Sequence, residues 1–168
     1  MATEIYQPER SEALLNRQVF QKKKFKMNNE TYQLFVYGSL RSGFQHAAYQ
    51  YMSRYFNLLG DAKVKGKLYD MGEYPVALPA TEEKFIIGEL YAINNAQEFS
   101  YAIGQLDDYE GLFVEAGETP LYKRELVTVD CNGQQSTAWI YWYNGSVEGH
   151  PEIATGDVLL YLQQKNKL

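Results

Sequence analysis

The 168-residue chain has the size of one domain, at roughly 150 residues each. Its 45% hydrophobic and 22% charged composition, with 15 Tyr, 8 Phe and 2 Trp, excludes intrinsic disorder. One cysteine, Cys131, excludes an internal disulfide and a four-cysteine zinc site, and the net charge of −5 disfavours a partner nucleic acid gripped through its phosphates. No run approaches the ~18 apolar residues of a membrane span. Residues 1–30 hold no apolar signal-peptide core. The expectation is a cytoplasmic chain with no membrane partner.

In chain order, residues 1–30 carry six basic and four acidic side chains, which leaves −7 for residues 31–168. The first segment reads as an extension, either solvated or as a helix begun at Pro8 with Leu14, Leu15 and Val19 on one side. Residues 31–168 read as the single domain. Residues 34–37 form a short apolar strand ended by Gly38-Ser39. Phe44, Ala47, Ala48, Tyr51, Met52, Tyr55, Phe56 and Leu59 recur at helical spacing, which predicts one helix stopped by Gly60. Residues 64–70 and 85–93 read as strands, each containing Gly-x-Leu-Tyr. A second helix is expected over 98–109, with Phe99, Ile103 and Leu106 on one side.

Residues 125–131 and 137–143 are strand-like and flank Asn132-Gly133, a hairpin signal. Ala138, Ile140 and Trp142 alternate with Trp139, Tyr141 and Tyr143, so both faces are apolar or aromatic. That suits a barrel or a helix-covered sheet, and such aromatics fit a core better than a pocket. Residues 157–167 predict a short terminal helix. The fold class is α+β.

Several motifs fail on inspection. Residues 38–43 have the two-glycine spacing of a P-loop, but Phe44-Gln45 stands where Lys-Ser/Thr is needed to reach phosphate and magnesium. No dinucleotide fingerprint or Gly-x-Ser-x-Gly elbow occurs. Cys131 lacks a neighbouring histidine and reads as a passive thiol.

Two constellations remain. The turn Tyr37-Gly38-Ser39-Leu40-Arg41-Ser42-Gly43 follows a strand and precedes a helix. Such turns offer free backbone N–H groups to anions, and the Arg41 guanidinium can fork onto a carboxylate. An ordinary tight connection fits the same residues. The second is Asp107-Asp108-Tyr109-Glu110-Gly111 at a helix C-terminus, where three carboxylates repel and the helix dipole disfavours them. A functional carboxylate and a solvated helix end both satisfy that pattern.

The turn resembles the signature loop of the gamma-glutamylcyclotransferase-like family. Further segments match in the same order: Gly66-Lys67-Leu68-Tyr69-Asp70, Tyr74-Pro75, Gly88-Glu89-Leu90-Tyr91, residues 106–111, Tyr122-Lys123-Arg124 and Gly156-Asp157. The set is most similar to the gamma-glutamylamine cyclotransferase branch. The resemblance implies a small mixed β-barrel with flanking helices and a cavity at the loop. It also implies a cofactor-free, metal-free reaction that releases 5-oxoproline from a small-molecule gamma-glutamyl amine or peptide.

The family's catalytic glutamate falls on Glu110, and its substrate-binding loop on Tyr37, Gly38, Ser39 and Leu40, with Arg41 beside them. Tyr122 and Arg124 match positions near the cavity, as lining or as support. Two departures stand out: His46 matches loosely where Asn or His follows the turn, and Val76 stands where Ala is common. The alternative reading is a non-catalytic binding module on the same fold. A third is the same chemistry on a carrier-bound or antibiotic precursor. Leaving amine and oligomeric state are open.

Overall fold

Side chains that alternate between two buried environments need a strand covered on both faces, and this chain meets that need by closing its sheet on itself. The computed structural model describes residues 31–166. Its barrel strands are β1 (Gln33–Val36), β2 (Phe56–Lys65), β5 (Phe85–Ile93), β6 (Tyr122–Cys131) and β7 (Gln134–Tyr143). They run in the order β1-β5-β2-β6-β7. Neighbours are antiparallel except at the closing seam, where β1 and β7 pair in parallel through Leu34 and Trp139. A separate two-stranded sheet holds β3 (Lys67–Asp70) and β4 (Pro75–Leu78).

The period-two pattern sorts the core. Phe35, Val64, Ile86, Leu90, Val129, Ile140 and Trp142 form one buried cluster inside the barrel. Leu34, Val36, Tyr91, Tyr141 and Tyr143 point the other way. There they meet Ala48 and Met52 of α1 (Ala47–Tyr55) and Ala102, Ile103 and Leu106 of α2 (Phe99–Tyr109). A third helix, α3 (Val158–Lys165), is capped by Asp157, whose side chain accepts from the N–H groups of Leu159 and Leu160. Gly88 lets β1 approach β5. A Cβ there would sit on the Val36 carbonyl oxygen and 2.6 Å from the Phe35 ring.

The fold class and the barrel agree with the sequence expectation, but some elements differ. The long first helix ends at Tyr55, because residues from Phe56 onward join β2 and pair with β5, beginning with Phe56 against Ile93. Leu59, expected on the helix face, and its neighbour Leu58 are about half exposed on that strand, beside a register shift between Leu58 and Gly60. Ladder pairing overrode a helical periodicity that ran on by coincidence. The expected strand 64–70 is two strands in different sheets, divided at Gly66. Strand β4 had no expectation at all.

The expected helix after Pro8 and the basic run ending at Lys26 lie outside the described residues. Among the described residues no helix is long and apolar enough to cross a membrane.

Candidate active site

The end of α2 separates the three carboxylates that the sequence sets side by side. The Leu112 N–H reaches the Asp107 carbonyl at 2.9 Å, and the Gly111 N–H reaches the Asp108 carbonyl at 3.1 Å. Gly111 has φ +70. These are the paired bonds and the left-handed residue of a Schellman cap, which a glycine adopts without steric cost. The cap fixes Glu110 as the last residue of the helical path.

Asp107 turns inward and is buried. Its carboxylate takes a two-pronged ion pair from Arg124, Nε at 2.8 Å and a terminal nitrogen at 3.1 Å, and a 2.8 Å bond from the Tyr141 hydroxyl. Asp108 stays exposed. Glu110 faces the cavity, where burial pushes its carboxyl from 4.5 up to about 7.

The turn after β1 is fastened from below. The buried Glu89 carboxylate accepts the Ser42 backbone N–H at 2.9 Å, the Ser42 hydroxyl at 2.6 Å and the Tyr91 hydroxyl at 2.6 Å. The Arg41 N–H closes a turn on the Gly38 carbonyl at 2.9 Å. The Tyr37 hydroxyl donates to the Tyr141 carbonyl at 2.6 Å. Among the described residues, the backbone N–H groups of Ser39 and Leu40 have no acceptor. They are therefore open to an incoming oxygen.

The turn and Glu110 line one cavity of about 510 Å³. This lies within the usual range for a small-molecule site, about 300–1,000 Å³. Its deep wall holds Tyr37, Leu40, Tyr122 and Tyr141, all buried. Burial pushes the phenols of Tyr37 and Tyr122 upward, and the neighbouring Glu110 charge adds to both. Both stay protonated as donors. Tyr122 also packs edge-on against Tyr143, ring centres 5.7 Å apart. At the mouth stand His46, Glu73, Tyr74, Tyr109 and Leu121. His46 caps α1 by accepting the Ala48 N–H on Nδ1 at 3.1 Å, which leaves a ring proton for Nε2.

Of the residues singled out in the sequence, Tyr37, Gly38, Ser39, Leu40, Glu110 and Tyr122 meet at this cavity. Arg41 and Arg124 are not among its lining residues. Arg41 is buried and pairs at 2.9 Å with Asp157, the cap of α3. Arg124 lies over the Trp139 ring at 4.4 Å while it holds Asp107. Both brace the walls: Arg41 ties the loop to α3, and Arg124 ties the Glu110 helix to β6.

Motif reading assigns no role to Glu89, Asp107 or Asp157, the three carboxylates that fasten these walls. Nor does it single out Glu73 or Tyr141 as lining. Only Tyr141 of the aromatic run on β7 reaches the cavity; Trp139, Trp142 and Tyr143 do not line it.

The family described as "Gamma-glutamyl cyclotransferase, AIG2-like" matches residues 34–160. No curated protein matches the chain. Three solved structures are similar. YkqA from Bacillus subtilis is 23% identical with a TM-score of 0.60, over 81% of this chain and 42% of YkqA. The chain thus spans less than half of that protein's length. The ytfP protein from Escherichia coli is 31% identical with a TM-score of 0.51, over 76% of this chain and 96% of ytfP. An uncharacterized Pyrococcus horikoshii protein is 19% identical with a TM-score of 0.55, over 81% of this chain and 98% of its own. A shared barrel, a fastened turn and a family match across three-quarters of the sequence lead to one assignment: the chain belongs to the AIG2-like gamma-glutamyl cyclotransferase family.

Proposed function

We propose that this protein cyclises a gamma-glutamyl amine or peptide, releasing 5-oxoproline and a free amine, with Glu110 as the one acid–base group. Family membership supports a cyclotransferase-type role. The observation that carries the finer reading is Glu110 itself. It is a carboxyl raised to about 7, in a cavity shared with a turn whose Ser39 and Leu40 N–H groups await an acceptor.

The reaction exchanges one amide for another. The α-nitrogen of the glutamyl group attacks its own gamma-carbonyl carbon and gives up a proton. The carbonyl oxygen gains negative charge, then returns its electrons as the original C–N bond breaks. The departing nitrogen takes a proton. No electrons leave the system, so the chemistry needs no redox partner.

Glu110 as carboxylate accepts the first proton and as acid supplies the second. A group that titrates near the working pH does both well. The Ser39 and Leu40 N–H groups suit the developing oxyanion, because preorganised donors stabilise charge most strongly where water is excluded. The deep wall of phenols folds the glutamyl chain so that amine and carbonyl meet, a proximity gain of up to about 7–11 kcal/mol. The gamma-glutamylamine branch is the favoured source of substrates on the sequence resemblance.

The experiment is a screen of gamma-glutamyl amides for 5-oxoproline, run with the intact chain and with Glu110→Gln. Release by the wild type and loss of at least about 100-fold in the variant is expected. Full activity in a folded Glu110→Gln protein would remove Glu110 from the mechanism.

A further inference from the structure

Among the described residues, the cavity lining includes two carboxylates, Glu110 and Glu73, and no lysine or arginine. Glu110 belongs to the chemistry. Glu73 is an exposed lining residue on the turn between β3 and β4. That turn is held by the Met71 N–H on the Tyr74 carbonyl at 3.1 Å and by the Gly72 N–H on Asp70 at 2.8 Å.

Glu73 is exposed and forms no ion pair among the described residues. The neighbouring carboxylates contrast with it. Asp70 is paired with Lys165, Asp107 with Arg124, and Glu152 with Lys84. Tyr74, its chain neighbour, and Tyr109 belong to the same lining, and both are about half exposed. Aromatic faces next to an unpaired carboxylate attract a cation and repel an anion.

We infer that Glu73 selects the leaving amine by charge, favouring a gamma-glutamyl amide whose amine ends in a second ammonium and rejecting one that ends in a carboxylate. The inference rests on the reading of the deep site as the glutamyl pocket. With Glu110 and the turn holding the glutamyl end, the departing amine extends toward the mouth. There it meets Glu73, Tyr74 and Tyr109. A solvent-exposed charge contributes modestly, so about fivefold in each direction is expected, attraction for the cation and repulsion for the anion.

The test uses gamma-glutamyl amides of three four-carbon amines, ending in an ammonium, a methyl group or a carboxylate. Values of kcat/KM for 5-oxoproline release are normalised to the methyl-ended amide. The wild type should prefer the ammonium end over the carboxylate end by about 25-fold, the two fivefold effects combined. Glu73→Gln should collapse that ratio toward one. Salt at about 1 M, where the Debye length is about 3 Å, should collapse it in the wild type too.

An unchanged ratio in Glu73→Gln, or a wild-type preference for the carboxylate end, overturns the inference and leaves the cyclisation reading intact. If none of the three amides is turned over, the cyclisation reading fails for these amides. The same three compounds titrated calorimetrically into wild type and Glu73→Gln then decide the charge order by affinity. Equal affinities overturn the inference there as well.

Discussion

Replacing Glu110 with Gln tests the site through stability as well as through turnover. Burial raises this carboxyl from 4.5 to about 7 in the folded protein, whereas the unfolded chain keeps the ordinary value. Below about pH 4.5 both states hold the proton, and the group has no effect on the balance. Between the two values the folded state keeps a proton that the unfolded state has lost, so folding stability falls as pH rises. Above about 7 both states are ionised and the loss is complete.

At about 1.4 kcal/mol for each tenfold difference in proton affinity, the wild type should lose about 3 kcal/mol across that window. Glu110→Gln has no proton to lose there. Urea unfolding of both proteins at pH values from about 4.5 to 8 gives the measurement. Other titrating groups cancel in the difference between the two curves. The difference should grow with pH to about 3 kcal/mol in favour of the variant. Parallel curves, or a wild type that gains on the variant with rising pH, would refute the claim that burial holds this carboxyl protonated. The same group should give kcat/KM an ascending limb centred near 7, because the proposed mechanism starts from the free base.

Three further substitutions address the frame around the site. Asp107→Asn removes the charge that pairs with Arg124 and leaves a guanidinium poorly matched, so a loss of about 3 kcal/mol by urea unfolding is expected; a loss under about 1 kcal/mol would mean the pair adds little. Gly88→Ala drives a methyl into the Val36 carbonyl and the Phe35 ring, with an expected cost of at least about 2 kcal/mol or failure to fold, read by thermal melting. Gly111→Ala puts a side chain on a residue with φ +70, which should cost about 1 kcal/mol and lower kcat more than stability alone explains, since the cap aims Glu110. Unchanged kcat there would separate the cap from the catalytic geometry.

The stabilising partners explain why a motif-dense sequence still concealed half of its site. Glu89 lies in the matched segment Gly88-Glu89-Leu90-Tyr91, yet nothing in that segment indicates that its carboxylate reaches Ser42, 47 positions away. Asp107 and Glu110 are three residues apart and look alike in sequence. One is paired with Arg124 and accepts a bond from Tyr141, and the other meets no such partner and is pushed up by burial. Arg41 looked like a carboxylate fork for a substrate. It holds a carboxylate through one terminal nitrogen, and that carboxylate is Asp157.

Composition, periodicity and turn chemistry determine the local elements, because those depend on neighbours along the chain. The β6–β7 hairpin at Asn132-Gly133, the helix ending at Tyr109 and the alternation that demands a strand covered on both faces are all of this kind. The ordered motifs also place the loop and Glu110 in one family. Only the tertiary structure decides where α1 stops, since residues after Tyr55 are claimed by a ladder with β5 that no local window contains. It alone decides which carboxylates are paired and which is left in a low-dielectric cavity, because charge state follows from burial and from partners distant in sequence.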